Sequence, residues 1–77
     1  MKILILGAGQ VGSSVAAALS VEDENQITVV DRDASRLREL TEKLDIRTVT
    51  GHASLPSVLT QAGMDEADLL AAVTSPD

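Results

Sequence analysis

The sequence predicts an α/β protein with a parallel sheet, the first half of a doubly wound fold. Short apolar runs alternate along the chain with segments whose apolar residues recur at helical spacing. This alternation is typical of β-α-β units and not of helical bundles or β-sandwiches. The apolar fraction of 44% is that of a globular protein, and because Phe, Tyr and Trp are absent, the core consists of Leu, Val, Ile and Ala.

The first β-α-β unit begins almost at once. Residues 3–6 form a continuous apolar run, which predicts a strand buried on both faces. The next segment has apolar residues at intervals of four, which predict one inward face of a helix: Val11, Val15 and Leu19. After a polar turn at 21–25, a second apolar run at 27–30 predicts a strand that ends at Asp31.

A second helix and a third strand follow. Asp33 is placed to cap the helix. The inner face of this helix is a set of leucines: Leu37, Leu40 and Leu44. Residues 46–50 predict the third strand, and Arg47 within it suits an edge of the sheet.

The last segment predicts a third helix and a fourth strand. Ser54 is a suitable N-cap, Pro56 is tolerated in the first turn, and Gly63 ends the helix. The predicted inner face of this helix is Leu55, Val58, Leu59 and Ala62. Residues 69–73 are apolar throughout, which predicts a strand covered on both faces.

Four parallel strands joined by right-handed crossovers give the strand order 3-2-1-4, which is a Rossmann-like sheet. Residues 1–77 are then the N-terminal part of a nucleotide-binding domain. In the complete fold strand four has a fifth strand beside it. We therefore expect a truncated fragment, or a neighbouring strand from another chain and self-association through strand four.

Charge and residue usage exclude several classes of function. The net charge of −6 argues against a nucleic-acid partner, because phosphate backbones are bound by clustered Lys and Arg. The absence of Cys excludes disulfides and thiolate chemistry, and a single His leaves a metal site almost without ligands. The apolar runs are too short for a membrane span or a signal peptide. We expect no metal and no nucleic acid.

Three glycines between the first strand and the first helix match the pattern G-x-G-x-x-G. In this pattern Gly7 makes the tight turn, Gly9 admits a bound diphosphate close to the backbone, and Gly12 lets the helix pack closely. The free N–H groups at the helix start attract phosphate oxygens locally, so the overall negative charge does not prevent an anion site. The alternative is a turn shaped by packing alone.

Asp31 lies about 20 residues after the motif, at the end of strand two, where a carboxylate accepts hydrogen bonds from a ribose diol. The same carboxylate repels a 2′-phosphate, which favours NAD or NADH. Arg32 beside it either meets such a phosphate or is simply an exposed turn residue.

His52 follows strand three at the ligand-binding edge of the sheet, where a plain loop role is the alternative. Thr74 and Ser75 follow strand four and either contact the second half of a dinucleotide or terminate the strand.

The stretches "MKILILGAGQVG", "ITVVDRD" and "TVTGHASLPSVLTQAGMDEADLLAAVTSPD" together resemble the RCK or KTN domains that regulate potassium channels and transporters. The resemblance covers essentially the whole chain. Its most distinctive part runs from Gly51 to Thr74, a tract that ordinary dehydrogenases do not carry.

The resemblance implies a non-enzymatic, cytoplasmic regulatory protein, peripheral at the inner face of the cell membrane. It would bind NAD or NADH, with ATP or ADP in some relatives, form dimers or larger homo-oligomers, and control a membrane-embedded potassium transporter subunit. Asp31 would contact the ribose, Arg32 the adenosine side, and Thr74 and Ser75 the distal nucleoside, whereas His52 replaces an acidic residue of many relatives. The implied diphosphate contacts are Gly7, Ala8, Gly9, Gln10 and Val11. The alternative function is the cofactor-binding half of an NAD-dependent oxidoreductase, although no residue here suggests proton transfer.

Overall fold

The computed structural model describes residues 1–73 and confirms the α/β class, with four parallel strands in the order β3-β2-β1-β4. The helices alternate with the strands, as predicted. The elements are β1 (Lys2–Leu6), α1 (Gln10–Ser20), β2 (Gln26–Asp31), α2 (Ala34–Lys43), β3 (Arg47–Thr50), α3 (Pro56–Gln61), a 3₁₀ turn (Met64–Glu66) and β4 (Leu69–Ala72). Over residues 1–73, no helix has the length and apolar character that a membrane span requires.

The register of the sheet brings the carboxyl ends of the strands to one edge. Leu6 at the end of β1 lies opposite Val30 of β2 on one side and Ala72 of β4 on the other. Asp31 at the end of β2 lies opposite Thr50 of β3. The loops that follow β1, β2 and β3 therefore start beside one another, which is where parallel α/β sheets bind ligands.

The core lies mainly between the sheet and the first two helices. Alternate residues of β1 and β2 pack there against α1 and α2, and the buried set is Ile3, Ile5, Ala8, Ala16, Ile27, Val29, Leu37 and Leu40. Leu4 and Val30 point to the opposite face of the sheet and are also buried. The central strands β1 and β2 are thus covered on both faces, as the continuous apolar run at residues 3–6 predicted for β1.

The predicted inner face of α1 is wrong at its first position. Val11 is 58% exposed, whereas Gly12 and Ala16 are buried and Val15 packs against the core. Each residue advances about 100° around a helix, so a face centred on Gly12 and Ala16 turns Val11 to the side. The small residues set how closely the helix approaches, and the larger Val11 is left outside.

The start of α3 also differs from the prediction. Leu55, not Ser54, is the N-cap, and it makes no side-chain cap hydrogen bond and is 50% exposed. The Ser54 hydroxyl instead forms a hydrogen bond with the imidazole of His52 and does not cap the helix amides. Gly63 follows the helix with a φ of +86°, and its role as the terminating residue is confirmed.

The prediction that the fourth strand is covered on both faces is wrong for the described residues. Leu69 and Leu70 are 43% and 44% exposed, and their register with Ile3 and Leu4 places them on opposite faces of the sheet. β4 lies at one edge of the sheet and β3, as predicted, at the other. Within residues 1–73 one face of β4 is covered only in part, where Ala71 packs against the core, and both leucines stay exposed.

We predict that Gly12→Ala lowers the free energy of unfolding by about 1–3 kcal/mol, the usual effect of overpacking. A Cβ at this position would collide with the Gly7 carbonyl group, which is backbone and cannot rotate away. Urea unfolding followed by circular dichroism measures the change, since the chain has no aromatic fluorophore. Ser14→Ala, on the exposed side of the same helix, is the matched control and should stay within about 0.5 kcal/mol of the parent. A Gly12 variant as stable as this control would contradict the close approach of Gly12 to the Gly7 carbonyl group.

Candidate functional site

The loop between β1 and α1 turns sharply at its first glycine. Gly7 has a φ of +117°, a conformation that side chains rarely adopt, and its N–H donates to the Val30 carbonyl oxygen at 2.8 Å. A Cβ on Gly7 would collide with the carbonyl oxygen of Val73. The loop therefore needs glycine here for both its conformation and its space, as the motif predicted.

The helix after the loop starts without a side-chain cap. Gly9 is the N-cap residue, and the first intrahelical hydrogen bond runs from the Ser13 N–H to the Gly9 carbonyl oxygen at 2.8 Å. The Ser13 hydroxyl donates to the Ala8 carbonyl oxygen at 3.0 Å and so ties the loop to the first turn of α1. The N–H groups of the first turn have no acceptor inside the helix, and together with the helix dipole they favour an anion at this end.

Asp31 is bonded directly to the glycine loop. The buried Ala8 N–H donates to Asp31 Oδ2 at 2.7 Å, and the Asp33 N–H donates to Asp31 Oδ1 at 2.8 Å. The Asp31 carbonyl oxygen also accepts from the Gly51 N–H at 2.9 Å, which ties in the loop after β3. One residue thus connects the ends of three strands, a role that the sequence analysis did not anticipate. Each carboxylate oxygen still has a lone pair for a ligand.

The same contacts set the ionisation of Asp31. Partial burial acts to raise the pKa of Asp31, but the hydrogen bonds from Ala8 and Asp33 and the charges of Arg36 and Arg32 outweigh it and lower the pKa. The side chain is therefore an acceptor at neutral pH. It suits a pair of ribose hydroxyls, which are donors.

A cavity of about 470 Å³ opens at this edge of the sheet. It is lined by five of the predicted site residues: Gly7, Gly9, Asp31, Arg32 and His52. The structure therefore brings together residues from the loops after β1, β2 and β3. Their sequence positions are far apart, and the parallel register is what unites them.

A second groove, of about 550 Å³, starts at the glycine loop and runs between helices α1 and α2. Ala8, Gly9 and Gln10 line it, and Arg36 and Gly9 line both spaces. Arg36 belongs to the first turn of α2, and its Nε lies 3.6 Å from Asp33 Oδ2. The sequence analysis missed Arg36, although a capping residue three positions earlier places it at the same end of the sheet.

His52 lies in the loop after β3 and is exposed. Its Nδ1 lies 3.2 Å from the Ser54 main-chain nitrogen and 2.6 Å from Ser54 Oγ. The Leu55 N–H donates to the His52 carbonyl oxygen at 3.0 Å. These contacts form a tight turn that presents the imidazole at the cavity wall.

The remaining predicted residues stand apart from the cavity. Val11 is exposed and lines neither of the two spaces, and Gly12 is buried beneath the loop, where its contribution is to packing. Thr74 and Ser75 lie outside the described residues. Across residues 1–73, no three His, Cys, Asp or Glu side chains are grouped as a metal ion would need.

We predict that Asp31→Asn lowers the free energy of unfolding by about 1 kcal/mol at pH 7, because one of the two main-chain donors loses its acceptor and the other keeps only a neutral one. The pKa of Asp31 is lowered in the folded state, so its stabilisation is present above about pH 4 and is lost as the pH falls through the folded value. Urea unfolding at pH 7 and pH 3, followed by circular dichroism, measures both effects.

Asp23→Asn, in the exposed turn before β2, removes the same charge and serves as the control for that prediction. This control substitution should change the free energy of unfolding by less than about 0.5 kcal/mol at either pH. If Asp31→Asn lowered the free energy of unfolding by the same amount at both pH values, the assigned hydrogen bonds would be contradicted.

Comparison with known proteins places this sequence in a family. The TrkA-N domain family matches residues 3–77. Over all 77 residues the chain is 64% identical to the Trk system potassium uptake protein TrkA of Halomonas elongata and 58% identical to the protein of that name from Vibrio alginolyticus. A Trk system potassium uptake protein TrkA homolog of Archaeoglobus fulgidus is 36% identical.

Each of these alignments covers 100% of this chain but 17% of the relative. The chain therefore spans about a sixth of the length of these relatives. The family match extends over both the glycine loop and the Gly51–Val73 segment, so it rests on more than a nucleotide-binding motif. The resemblance seen in the sequence is confirmed, and the chain belongs to the TrkA-N domain family.

Proposed function

We propose that this chain is the nucleotide-sensing part of a regulatory subunit of a potassium uptake system. It binds NAD or NADH at the glycine loop and controls potassium movement through a membrane-embedded transporter subunit. The names of the relatives support the link to potassium uptake. The observation that carries the nucleotide assignment is the joining of the loop to the ionised Asp31 in one cavity.

The cavity offers a distinct partner to each part of a dinucleotide. The diphosphate lies against the N–H groups of Gly9 and Gln10, at the positive end of α1. The ribose diol donates to the free lone pairs of Asp31, whose two main-chain partners hold the carboxylate in place. The ligand therefore meets groups that are already oriented, which reduces the entropy lost on binding.

Charge decides which nucleotides are favoured. Asp31 repels a phosphate on the ribose 2′ position, which supports NAD or NADH over the phosphorylated cofactors. Arg32 and Arg36 line the same cavity and favour anionic ligands in general, so ATP or ADP is the alternative. The family match and the names of the relatives support a sensor over an oxidoreductase half.

Regulation follows if the ligand binds two arrangements of the protein with different affinity. The exposed leucines of β4 support contact with further protein, either another part of the same subunit or a second copy. A homo-oligomer at the cytoplasmic face of the membrane would let the bound nucleotide change the packing of its subunits. The transporter would respond to that change and not to the nucleotide itself.

We predict that calorimetric titration gives tighter binding for NADH and NAD than for NADPH, with ATP as the competing ligand. Asp31→Asn should weaken NADH binding by about 1–3 kcal/mol, because a charged acceptor of the ribose hydroxyls is lost. Asp23→Asn is the charge-matched control outside the cavity and should bind as the parent does.

Two results would count against the proposal. The absence of heat with all four nucleotides would remove the sensing role. Equal NADH affinity in the parent and in Asp31→Asn, with the fold intact by circular dichroism, would remove Asp31 from the ribose site. Preferential binding of ATP would keep the sensor and change its ligand.

A further inference from the structure

His52 is the only ring-bearing side chain in these 77 residues apart from proline, because Phe, Tyr and Trp are all absent. It lines the same cavity as Asp31 and lies on the loop after β3. No other side chain of this chain offers a planar ring with a polar edge to a nucleobase. The chemistry of that edge therefore affects which bases this part of the cavity accepts.

The contacts of His52 determine which ring nitrogen carries the proton. The Ser54 main-chain N–H can only donate, and it lies 3.2 Å from His52 Nδ1. Nδ1 must then present a lone pair. A neutral imidazole has one N–H group, which is consequently on Nε2.

The Ser54 side chain adds a second contact to the same nitrogen, with Oγ at 2.6 Å from Nδ1. The loop backbone is held on both sides of His52, by the Gly51 N–H donating to the Asp31 carbonyl oxygen and by the Leu55 N–H donating to the His52 carbonyl oxygen. The Nδ1 edge is thus occupied by the protein. The Nε2–H edge is the polar edge left for a ligand.

We propose that Ser54 is a positioning residue that holds His52 as an Nε2–H donor to N3 or N7 of the purine ring, the two nitrogens that accept in both adenine and hypoxanthine. This inference rests on the proposed function, since it concerns the base of the same ligand. A carboxylate at this position would accept from the 6-amino group of adenine, whereas an N–H donor makes no use of that group. The site therefore accepts purine dinucleotides whether position 6 carries an amino group or an oxygen.

The state of the ring is tested first, in the ligand-free chain. Because His52 is the only histidine, ¹⁵N labelling gives one set of imidazole signals. For the neutral ring we expect the pattern of the Nε2–H tautomer. A neutral ring protonated on Nδ1 would overturn the inference without any reference to the ligand.

Base recognition is tested by titrating two reduced dinucleotides, NADH and its hypoxanthine analogue, in which oxygen replaces the 6-amino group. The parent chain should bind the two within about threefold of each other. His52→Ala should bind both about tenfold more weakly, as expected for the loss of a hydrogen bond and of ring contact. His52→Asp should prefer NADH by about tenfold, because a carboxylate accepts from the amino group.

Ser54→Ala should weaken both ligands by about threefold to tenfold, since the ring loses one of its two anchors. Ser54→Thr keeps the hydroxyl and should restore the parent affinity. Ser20→Ala removes a hydroxyl that bonds within α1, outside the cavity, and is the matched control.

The outcomes separate this inference from the proposed function. NADH binding that is unchanged in His52→Ala, or a parent preference for NADH above about tenfold, overturns the role of His52 and leaves the sensor intact. Equal affinities of Ser54→Ala and the parent overturn the positioning role. Failure of the parent chain to bind any nucleotide overturns the proposed function and this inference together.

Discussion

The hydrogen bond from the Ala8 N–H to Asp31 Oδ2 is the contact on which the whole site depends. It joins the loop after β1 to the end of β2, while the Asp31 carbonyl oxygen holds Gly51 after β3. The contact is possible because the parallel register places Leu6 opposite Val30, so that both strands end together. The cavity is thus assembled by the fold itself before a ligand arrives.

An acidic chain can bind the proposed anionic ligand because most of its negative charges lie far from the site. The net charge of −6 is spread over the surface, whereas under the proposed function the N–H groups at the start of α1 contact the phosphates directly. Arg32 and Arg36 add positive charge at the cavity, and the ionised Asp31 beside them is the group that we propose selects an unmodified ribose. In the proposed site, local dipoles and two arginines therefore outweigh an unfavourable total charge.

The edge strand β4 is where the described part of the chain offers an apolar surface for contact with other protein. Its exposed leucines, Leu69 and Leu70, lie on opposite faces of the sheet, so no single flat partner covers both. β4 is also hydrogen-bonded to β1, whose end carries the glycine loop. A change in what packs on β4 would thus reach the nucleotide site through one strand, which is a short route for coupling ligand and assembly.

The sequence by itself determined the fold class, the strand order, the turn at Gly7 and the cap at Asp33, because each depends on local chemistry and on periodicity. Only the tertiary structure decided which side of α1 faces the core, leaving Val11 exposed, and which partner the Ser54 hydroxyl finds. It also revealed Arg36 at the cavity. These features depend on the distances between elements, and those distances are set by how closely small residues let helices approach the sheet and loops. No local pattern in the chain encodes such a distance.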